Sequence, residues 1–190
     1  INRYTYDFIF NGGPSYLAPS QSLFPGGLST PGSAFVVGGY FKFNNLSARQ
    51  QIISNISMTT GNFYQLVLNT NGSLELFDDT PMVGITKCST SAGLISANTW
   101  HSVFLKISMV SGLECRIYVD GNQSAHDYTL SSLNSNFIPK IGTINSAEKL
   151  QGSAAEILID SDTTSAGDSR FSDTTISNLH NLYFNQRYSP

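Results

Sequence analysis

The sequence predicts an all-β protein, an antiparallel sandwich of two sheets with one short helix near the C-terminal end. Short segments of alternating apolar and polar residues recur along the chain, and Gly, Asn and Asp turn signals separate them. The chain has 190 residues, of which 40% are hydrophobic. That length suits a single sandwich with a sizeable core, so we expect one domain over residues 1–190.

The composition excludes several classes of function. Only 12% of the residues are charged, the formal net charge is −3, and Asn, Ser and Thr together number 58. No run of Lys or Arg indicates nucleic-acid binding, and no apolar stretch approaches the 18 residues that a membrane helix needs. An uncharged polar surface of this kind predicts an extracellular, cell-surface or virion-surface location.

The first elements are an edge strand with long loops, over residues 1–33, and a strand over 34–43. Residues 1–33 are rich in Gly, Pro and Ser. The strand "AFVVGGYFKF" places four apolar side chains on one face: Phe35, Val37, Phe41 and Phe43. Gly38 and Gly39 interrupt this run, which predicts a bulge or a close approach of another backbone.

The middle of the chain predicts consecutive hairpins. The expected strands are residues 50–57, 62–69, 73–77, 100–108, 113–119, 124–130, 137–144 and 153–160. "NTNG" at 69–72 predicts a type I′ turn, because Asn and Gly tolerate positive φ. A Ser-Gly pair at 111–112 and "DGN" at 120–122 predict two further tight turns.

One helix is expected over residues 172–188. Ser172 is the predicted N-cap, and Asp173 in the first turn complements the helix dipole. A helical stripe follows: Ile176, Leu179, Tyr183 and Arg187, with Leu182 beside it. The polar segment 161–170 before the helix is expected to be an exposed loop.

Three segments resemble laminin-G-like, or concanavalin A-like, jelly-roll domains of the lectin and glucanase superfamily. "NTWHSVFLKIS…LECRIYVDGNQSA" resembles the central hairpin, in which a Trp-His pair opens one strand and a "YVDG" run ends the next. "KIGTINSAEKLQGSAAEILI" resembles the following pair of strands. "FSDTTISNLHNLYFNQRYSP" resembles the C-terminal segment of a bacterial and phage subgroup, although Phe184 and Ser189 depart from its pattern. The resemblance covers roughly residues 34–190 and implies a jelly-roll sandwich.

Trp100 and His101 are the first candidates for a site. A lone tryptophan can stack on a sugar, but in the resembled motif it belongs to the core, and we expect Trp100 to be buried there. His101 alternates to the other face with no carboxylate near it in sequence. We expect a satisfied histidine at the surface or at an edge.

The carboxylates do not predict an enzyme. Retaining glycosidases need two carboxyl groups roughly 5 Å apart. The nearest approach in this chain is Glu156, Asp160 and Asp162, which alternation would place on one face, but Leu158 stands where the middle carboxylate would be. Glu156 also falls at a position where the resemblance implies a structural role.

Calcium binding and ligand binding are expected in loops. Ca²⁺ takes six to eight oxygen ligands. The candidate calcium ligands are Asp78, Asp79, Asp160 and Asp162, with Asp120 and Asn122 as further oxygen donors. Solvated turn residues are the favoured interpretation, so no cofactor is required and one Ca²⁺ is the alternative. The candidate ligand-binding residues are Tyr128, Asn122, Asp78 and Asp79, because an aromatic ring beside amides and carboxylates suits a sugar.

Two cysteines leave two interpretations open. Cys115 shares an alternating face with Ile117 and Val119, which favours a buried core thiol. A Cys88–Cys115 disulfide is the alternative, and two cysteines are too few for a disulfide framework.

The favoured function is a non-catalytic recognition module in a larger adhesive or surface protein, whose partner is a glycan or a glycosylated cell-surface receptor. The alternative is a structural component of a virion or phage spike, capsid or tail, in which the jelly roll contacts itself or other virion proteins. A glycoside hydrolase or lyase is the least favoured hypothesis.

Overall fold

A computed structural model describes residues 2–4, 8–11, 16–17, 28, 30–55, 63–79, 85–127, 139–142 and 148–187. Within them the strands are β1 (Asn2–Tyr4), β2 (Phe8–Asn11), β3 (Tyr16–Leu17), β4 (Ala34–Phe43), β5 (Gln50–Asn55), β6 (Phe63–Leu68), β7 (Leu74–Asp79), β8 (Ile85–Ser89), β9 (Trp100–Met109), β10 (Leu113–Val119), β11 (Asn122–Asp127), β12 (Pro139–Gly142) and β13 (Gln151–Asp162). The helices are α1 (Gly167–Arg170) and α2 (Asp173–Arg187).

The strands form two antiparallel sheets. The seven-stranded sheet has the order β1-β13-β4-β9-β10-β11, and β2 also pairs with β13. The six-stranded sheet has the order β3-β12-β5-β6-β7-β8. The predicted all-β antiparallel sandwich with a C-terminal helix is therefore confirmed. Within the described residues, no helix is long and apolar enough to cross a membrane.

Most predicted strands are found, with differences at the ends and in two connections. The strand β8 was not predicted, and β7 extends through Asp78 and Asp79, which had been expected in a loop. The segment 161–170 is not simply a loop, because β13 continues to Asp162 and α1 follows. Parts of the strands predicted at 50–57, 62–69, 124–130 and 137–144 lie outside the described residues.

The main core lies between the two sheets. The four apolar side chains predicted to share one face of β4 all belong to it: Phe35, Val37, Phe41 and Phe43. Val103, Leu105 and Ile107 of β9 face them from the neighbouring strand. Burying large apolar side chains of this kind stabilises each by roughly 1.5–3 kcal/mol.

The expectation that Trp100 belongs to the core is wrong. Trp100 is only partly buried, because it is the first residue of β9 and stands at the end of the sheet opposite Lys42. Its alternation also places it with Ser102 and Phe104 on the outer face rather than with Val103 on the inner face.

A second apolar cluster covers the outer face of the seven-stranded sheet. Ala34, Val36, Phe104 and Tyr118 of the sheet pack against Phe171 and Ile176 of the helical segment. The predicted N-cap is confirmed, since the Ser172 Oγ accepts a hydrogen bond from the Thr175 N–H at 3.2 Å.

An ion pair and a hydrogen bond also hold the helical segment on the outer face of the seven-stranded sheet. Lys106, only 1% exposed, forms an ion pair of 2.7 Å with Asp168, and the Tyr118 hydroxyl donates to Asp173 at 2.6 Å. The pKa of Asp168 is lowered: burial would raise it, but the hydrogen bond and the positive charge of Lys106 outweigh that effect. Both faces of the seven-stranded sheet are therefore packed.

Two turns show how the hairpins close. Asp120 and Gly121 have φ of 50° and 78°, so the two-residue turn between β10 and β11 is of the type I′ class. In the turn 69–72, Gly72 alone has positive φ, 77°, so the predicted type I′ turn is wrong there. The geometry fits a type I turn followed by a glycine bulge.

Candidate functional site

The sheet that is not covered by the helices offers the candidate site. In the six-stranded sheet the inner row of paired residues is apolar and contributes to the core: Ile141, Ile53, Leu66, Leu76 and Cys88. Alternation places the adjacent rows on the outer face. We call this outer surface of β12, β5, β6, β7 and β8 the open face.

Two rows of residues cross the open face. One row pairs Lys140, Ser54, Gln65, Phe77 and Thr86 across five strands. The other row pairs Gln51, Val67, Glu75 and Ser89 across four strands. Seven of these nine side chains carry a hydrogen-bonding group. Three of the nine are buried, namely Gln51, Ser54 and Val67, and the other six are half-buried or exposed.

An arginine and a phenylalanine form the centre of the open face. The Arg49 guanidinium lies over the Phe77 ring with its carbon 4.1 Å from the ring centroid. Glu148 forms an ion pair with the same guanidinium at 3.2 Å, and the two side chains are 35% and 23% exposed. The Glu148 backbone carbonyl accepts a hydrogen bond from the Gln51 N–H at 3.0 Å, which holds the 148 segment beside β5.

Two polar atoms near this centre have no hydrogen-bond partner. They are the Arg49 Nε and the Ser54 Oγ, both shielded from solvent. Buried polar groups are nearly always hydrogen-bonded, because leaving one unpaired costs about 1–3 kcal/mol. Of the two atoms, the Arg49 Nε belongs to the guanidinium that lies over the Phe77 ring.

A second polar network lies at the end of the sandwich, around His101. The Ser96 N–H donates to His101 Nε2 at 3.1 Å, so Nε2 is the acceptor and Nδ1 carries the proton. Nδ1 then donates to Asp120 Oδ2 at 2.8 Å, and Asp120 Oδ1 accepts the Ser102 N–H at 3.0 Å. His101 is satisfied, as expected, but it is only 7% exposed and lies inside the end of the sandwich.

Ser96, His101 and Asp120 are arranged in the order of a Ser-His-Asp catalytic triad, but His101 cannot act as the general base. The Ser96 Oγ lies 3.1 Å from His101 Nε2, and Asp120 holds the opposite nitrogen. However, the lone pair of Nε2 already accepts the Ser96 backbone N–H, so it is not free to take a proton from the hydroxyl. The network fastens the 90–99 segment to the β10–β11 turn.

The carboxylates considered for catalysis lie on a strand whose alternation is interrupted. A β-bulge between Ala155 and Leu158 breaks the alternation of β13, and Glu156 at the bulge is buried with φ of 50°. Asp160 instead forms an ion pair with Arg170 at 2.5 Å. The expected alignment of Glu156 with Asp160 and Asp162 relied on regular alternation, which this bulge interrupts.

The candidate calcium ligands are separated in the fold. Asp160 and Asp162 lie on β13 beside Arg170, whose nitrogens are 2.5 and 3.6 Å from the two carboxylates. Hydrogen bonds from Thr164 and the charge of Arg170 lower the pKa of Asp162. Asp78 and Asp79 lie on β7 in the other sheet, and their side chains are not described. Among the described residues, no group of three or more His, Cys, Asp or Glu side chains is placed to hold a metal ion.

Of the candidate ligand-binding side chains, that of Asn122 alone is described. Asn122 is exposed at the start of β11, where its Nδ2 donates to the Asp120 carbonyl at 3.1 Å. Asp78 and Asp79 are in the other sheet. Tyr128 lies outside the described residues. Tyr183 and Arg187 of the predicted helical stripe lie in α2, but their side chains are not described.

Sequence reasoning missed the residues of the open face. It searched loops for aromatic side chains, whereas Phe77 is within a strand and Arg49 immediately precedes one. A usable signal was the nine positions of the two rows, which are polar except for Val67 and Phe77. The pairing that aligns these positions in rows depends on register, which the sequence does not state.

The fold is shared with several solved structures at low sequence identity. A heptameric SAP-like pentraxin from Limulus polyphemus has 14% identity and a TM-score of 0.63, covering 92% of this chain and 81% of that one. The CBM40 domain of a Ruminococcus gnavus IT-sialidase, bound to α2,3-sialyllactose, has 13% identity and a TM-score of 0.59, covering 92% and 98%. Domain 4 of AbnA, an extracellular GH43 arabinanase from Geobacillus stearothermophilus, in complex with arabinotriose, has 13% identity and a TM-score of 0.62, covering 94% and 81%.

These likenesses establish the class of fold. The chain has a concanavalin A-like jelly-roll fold in common with these proteins, which confirms the predicted fold class. The sequence matches no family model and no curated protein. The narrower resemblance to a bacterial and phage laminin-G-like subgroup stays a prediction.

Proposed function

We propose that this chain is a non-catalytic recognition module that binds a glycan on the open face. The observation that carries the proposal is the Arg49 guanidinium stacked on Phe77 beside Glu148, in a sheet face lined by polar side chains. The two solved neighbours that hold α2,3-sialyllactose and arabinotriose support a glycan ligand. The β-bulge at Glu156 and the ion pair between Asp160 and Arg170 support a role without catalysis.

The charge of the open face favours a neutral sugar. Glu148 neutralises Arg49 at 3.2 Å, so the pair presents donors and acceptors side by side without a net charge. Such a pair matches adjacent hydroxyl groups, which both donate and accept. An anionic sugar would have to compete with Glu148 for the guanidinium, so we expect neutral oligosaccharides to bind more tightly.

The test is a glycan array followed by calorimetry on three variants. Arg49→Ala and Phe77→Ala should each weaken binding of the selected glycan about tenfold or more, a loss of about 1.4 kcal/mol or more. Arg170→Ala is the matched control, because Arg170 also lies over a phenylalanine, at 5.0 Å from Phe171, and also pairs with a carboxylate. Arg170 belongs to the helical segment on the opposite sheet, so its variant should bind normally.

Two outcomes would overturn the proposal. Binding that is equally weakened by Arg170→Ala would show a general loss of structure, and circular dichroism on each variant checks for this. Selective glycan binding that survives both open-face substitutions would place the site elsewhere. Repeating the measurement with calcium and with chelator tests the alternative of one Ca²⁺ in the same experiment.

We further propose that the module acts outside the cell, as part of a larger surface protein. The low charge content and the Asn-, Ser- and Thr-rich composition support this setting. Assembly in a virion or phage particle stays the alternative prediction. A folded chain that binds no glycan but forms a stable oligomer would favour it.

A further inference from the structure

The two cysteines meet in the core although they belong to different sheets. Cys88 lies on β8 of the six-stranded sheet, and Cys115 lies on β10 of the seven-stranded sheet. Both are buried, with 4% and 0% exposure, in the cluster between the sheets. Cys88 is the neighbour that most strongly raises the pKa of the Cys115 thiol, and both thiols are free in this structure.

The sandwich is narrow at this point. Strands β8 and β10 come within 8 Å of each other between Cα atoms, and β8 also approaches β11. Stacked sheets are usually about 10 Å apart, and a disulfide needs Cα atoms roughly 4.4–6.8 Å apart. The sheets thus converge along β8 and β10, the strands that carry the two cysteines.

We propose that Cys88 and Cys115 form a disulfide that joins the two sheets when the chain folds in oxidising surroundings. The oxidant is a small disulfide such as oxidised glutathione. The thiolate of one cysteine attacks a glutathione sulfur and expels one reduced glutathione, giving a mixed disulfide. The second thiolate then attacks the protein sulfur of that mixed disulfide and expels the second reduced glutathione. The protein loses two protons and two electrons, and the oxidant gains them.

The surroundings of the pair decide when the reaction occurs. The neighbouring Cys88, followed by burial, raises the pKa of the Cys115 thiol far above its ordinary value. Because the thiolate is the nucleophile, the thiols of the folded reduced protein should react slowly with disulfides. The bond should form during folding, while the edge strand β8 is still accessible. Once formed, the buried bond should resist reduction for the same lack of access.

The disulfide would stabilise the edge of the open face. Strand β8 is the last strand of its sheet and pairs only with β7 among the described strands. A bond to β10 closes a loop of about 26 residues and ties this strand to the packed sheet. For a chain of this size we expect Tm to rise by about 5–10 °C.

The experiment compares two forms of the unaltered chain. Reduced protein is unfolded and then refolded in a reduced and oxidised glutathione mixture, or in reductant alone, and folded monomer is isolated by gel filtration. Each form is then unfolded and treated with N-ethylmaleimide before intact mass measurement. The oxidised form should be about 2 Da lighter and take up no maleimide, whereas the reduced form should take up two. The Tm of the oxidised form should be higher than that of the reduced form.

The single variants Cys88→Ala and Cys115→Ala are the controls. Each should take up one maleimide, or carry one glutathione, and show no difference in Tm between the two refolding conditions. Two reactive thiols in monomer refolded with oxidised glutathione would overturn the proposal, as would a mixed disulfide at either residue without the internal bond. An internal bond that lowers Tm would show that it strains the fold rather than fastening it. None of these results depends on glycan binding.

Discussion

Gly38 shows how a missing side chain sets the distance between two central strands. A Cβ at this position would lie 2.2 Å from the Val103 carbonyl oxygen and 2.6 Å from the Phe104 ring. The first contact is with backbone, which cannot move without shifting β9 away from β4. The close backbone approach predicted from the Gly38-Gly39 pair is therefore confirmed for Gly38.

Gly38→Ala should lower the free energy of unfolding by about 3 kcal/mol, since overpacking a tight interior costs roughly 1–3 kcal/mol and here the obstacle is backbone. Gly112→Ala is the control: nothing lies within 4 Å of its Cβ position, and its φ is not positive. That variant should unfold within about 0.5 kcal/mol of the unaltered chain. Urea unfolding of both variants measures the difference, and equal midpoints would contradict the close approach.

The contact between His101 and Asp120 is one that the sequence could not predict. The sequence pattern singles out each residue separately, and the two lie 19 positions apart. In the structure His101 Nδ1 and Asp120 Oδ2 are hydrogen-bonded at 2.8 Å. The register between β9 and β10 and the positive φ at Asp120 bring them together. Residue type and alternation predict faces well, as the core side of β4 shows, but the pairing of distant strands follows from packing of the whole sandwich. The rows of the open face were missed for the same reason.

Strands and helices were predictable where the local signal was strong. The strand β4 and the helix α2 have bounds within one residue or so of those expected, because alternation, the N-cap and the dipole all agree there. The strand β8 was missed because "ITKCS" is short and its two apolar residues give little periodicity. Its position depends on pairing with β7.

The helix α2 should make stability depend on pH. His180 lies on this helix, with its Nδ1 2.9 Å from the Ser102 Oγ of β9, and the Tyr40 hydroxyl donates to the His180 carbonyl at 3.1 Å. Burial lowers the pKa of His180 below its usual 6.5, although the nearby Asp120 carboxylate opposes this effect. Below pH 6.5 the unfolded chain therefore binds a proton more readily than the folded chain, so stability falls as the pH falls.

His180→Asn isolates this contribution, because an Asn side chain can still bond Ser102 but does not titrate. We expect the unaltered chain to lose more stability than the variant between pH 7.5 and pH 5, by a modest amount since His180 is partly exposed. His101 and His126 are present in both proteins, so the difference reports His180 alone. Urea unfolding at the two pH values measures it, and parallel pH dependence in the two proteins would contradict the argument.

The whole molecule is asymmetric in how its two sheets are used. The seven-stranded sheet carries the main core on one face and the helical segment on the other. The six-stranded sheet has the core on one face and the polar open face on the other. The proposed ligand contacts, Arg49 and Phe77, belong to neither apolar cluster, so the proposed site and the core do not compete for the same residues.

The pairing of strands that are distant in sequence predicts that the molecule unfolds as one unit. The strand β4 near the beginning pairs with β13 near the end and with β9 from the middle. Both apolar clusters share the strands β4, β9 and β10, so neither cluster can lose its packing while the other keeps its sheet. The prediction of a single domain over residues 1–190 leads to the same expectation.

Two independent probes can test this cooperativity. Trp100 is the only tryptophan, so its fluorescence reports the end of β9 on the outer face of the seven-stranded sheet. Far-ultraviolet circular dichroism reports both sheets. In urea the two signals should follow one transition with the same midpoint and slope. An earlier transition in tryptophan fluorescence would show that the helical layer separates from an intact sandwich. In that case the two packed layers of the seven-stranded sheet would be independent, and the single-domain prediction would be wrong for the C-terminal segment.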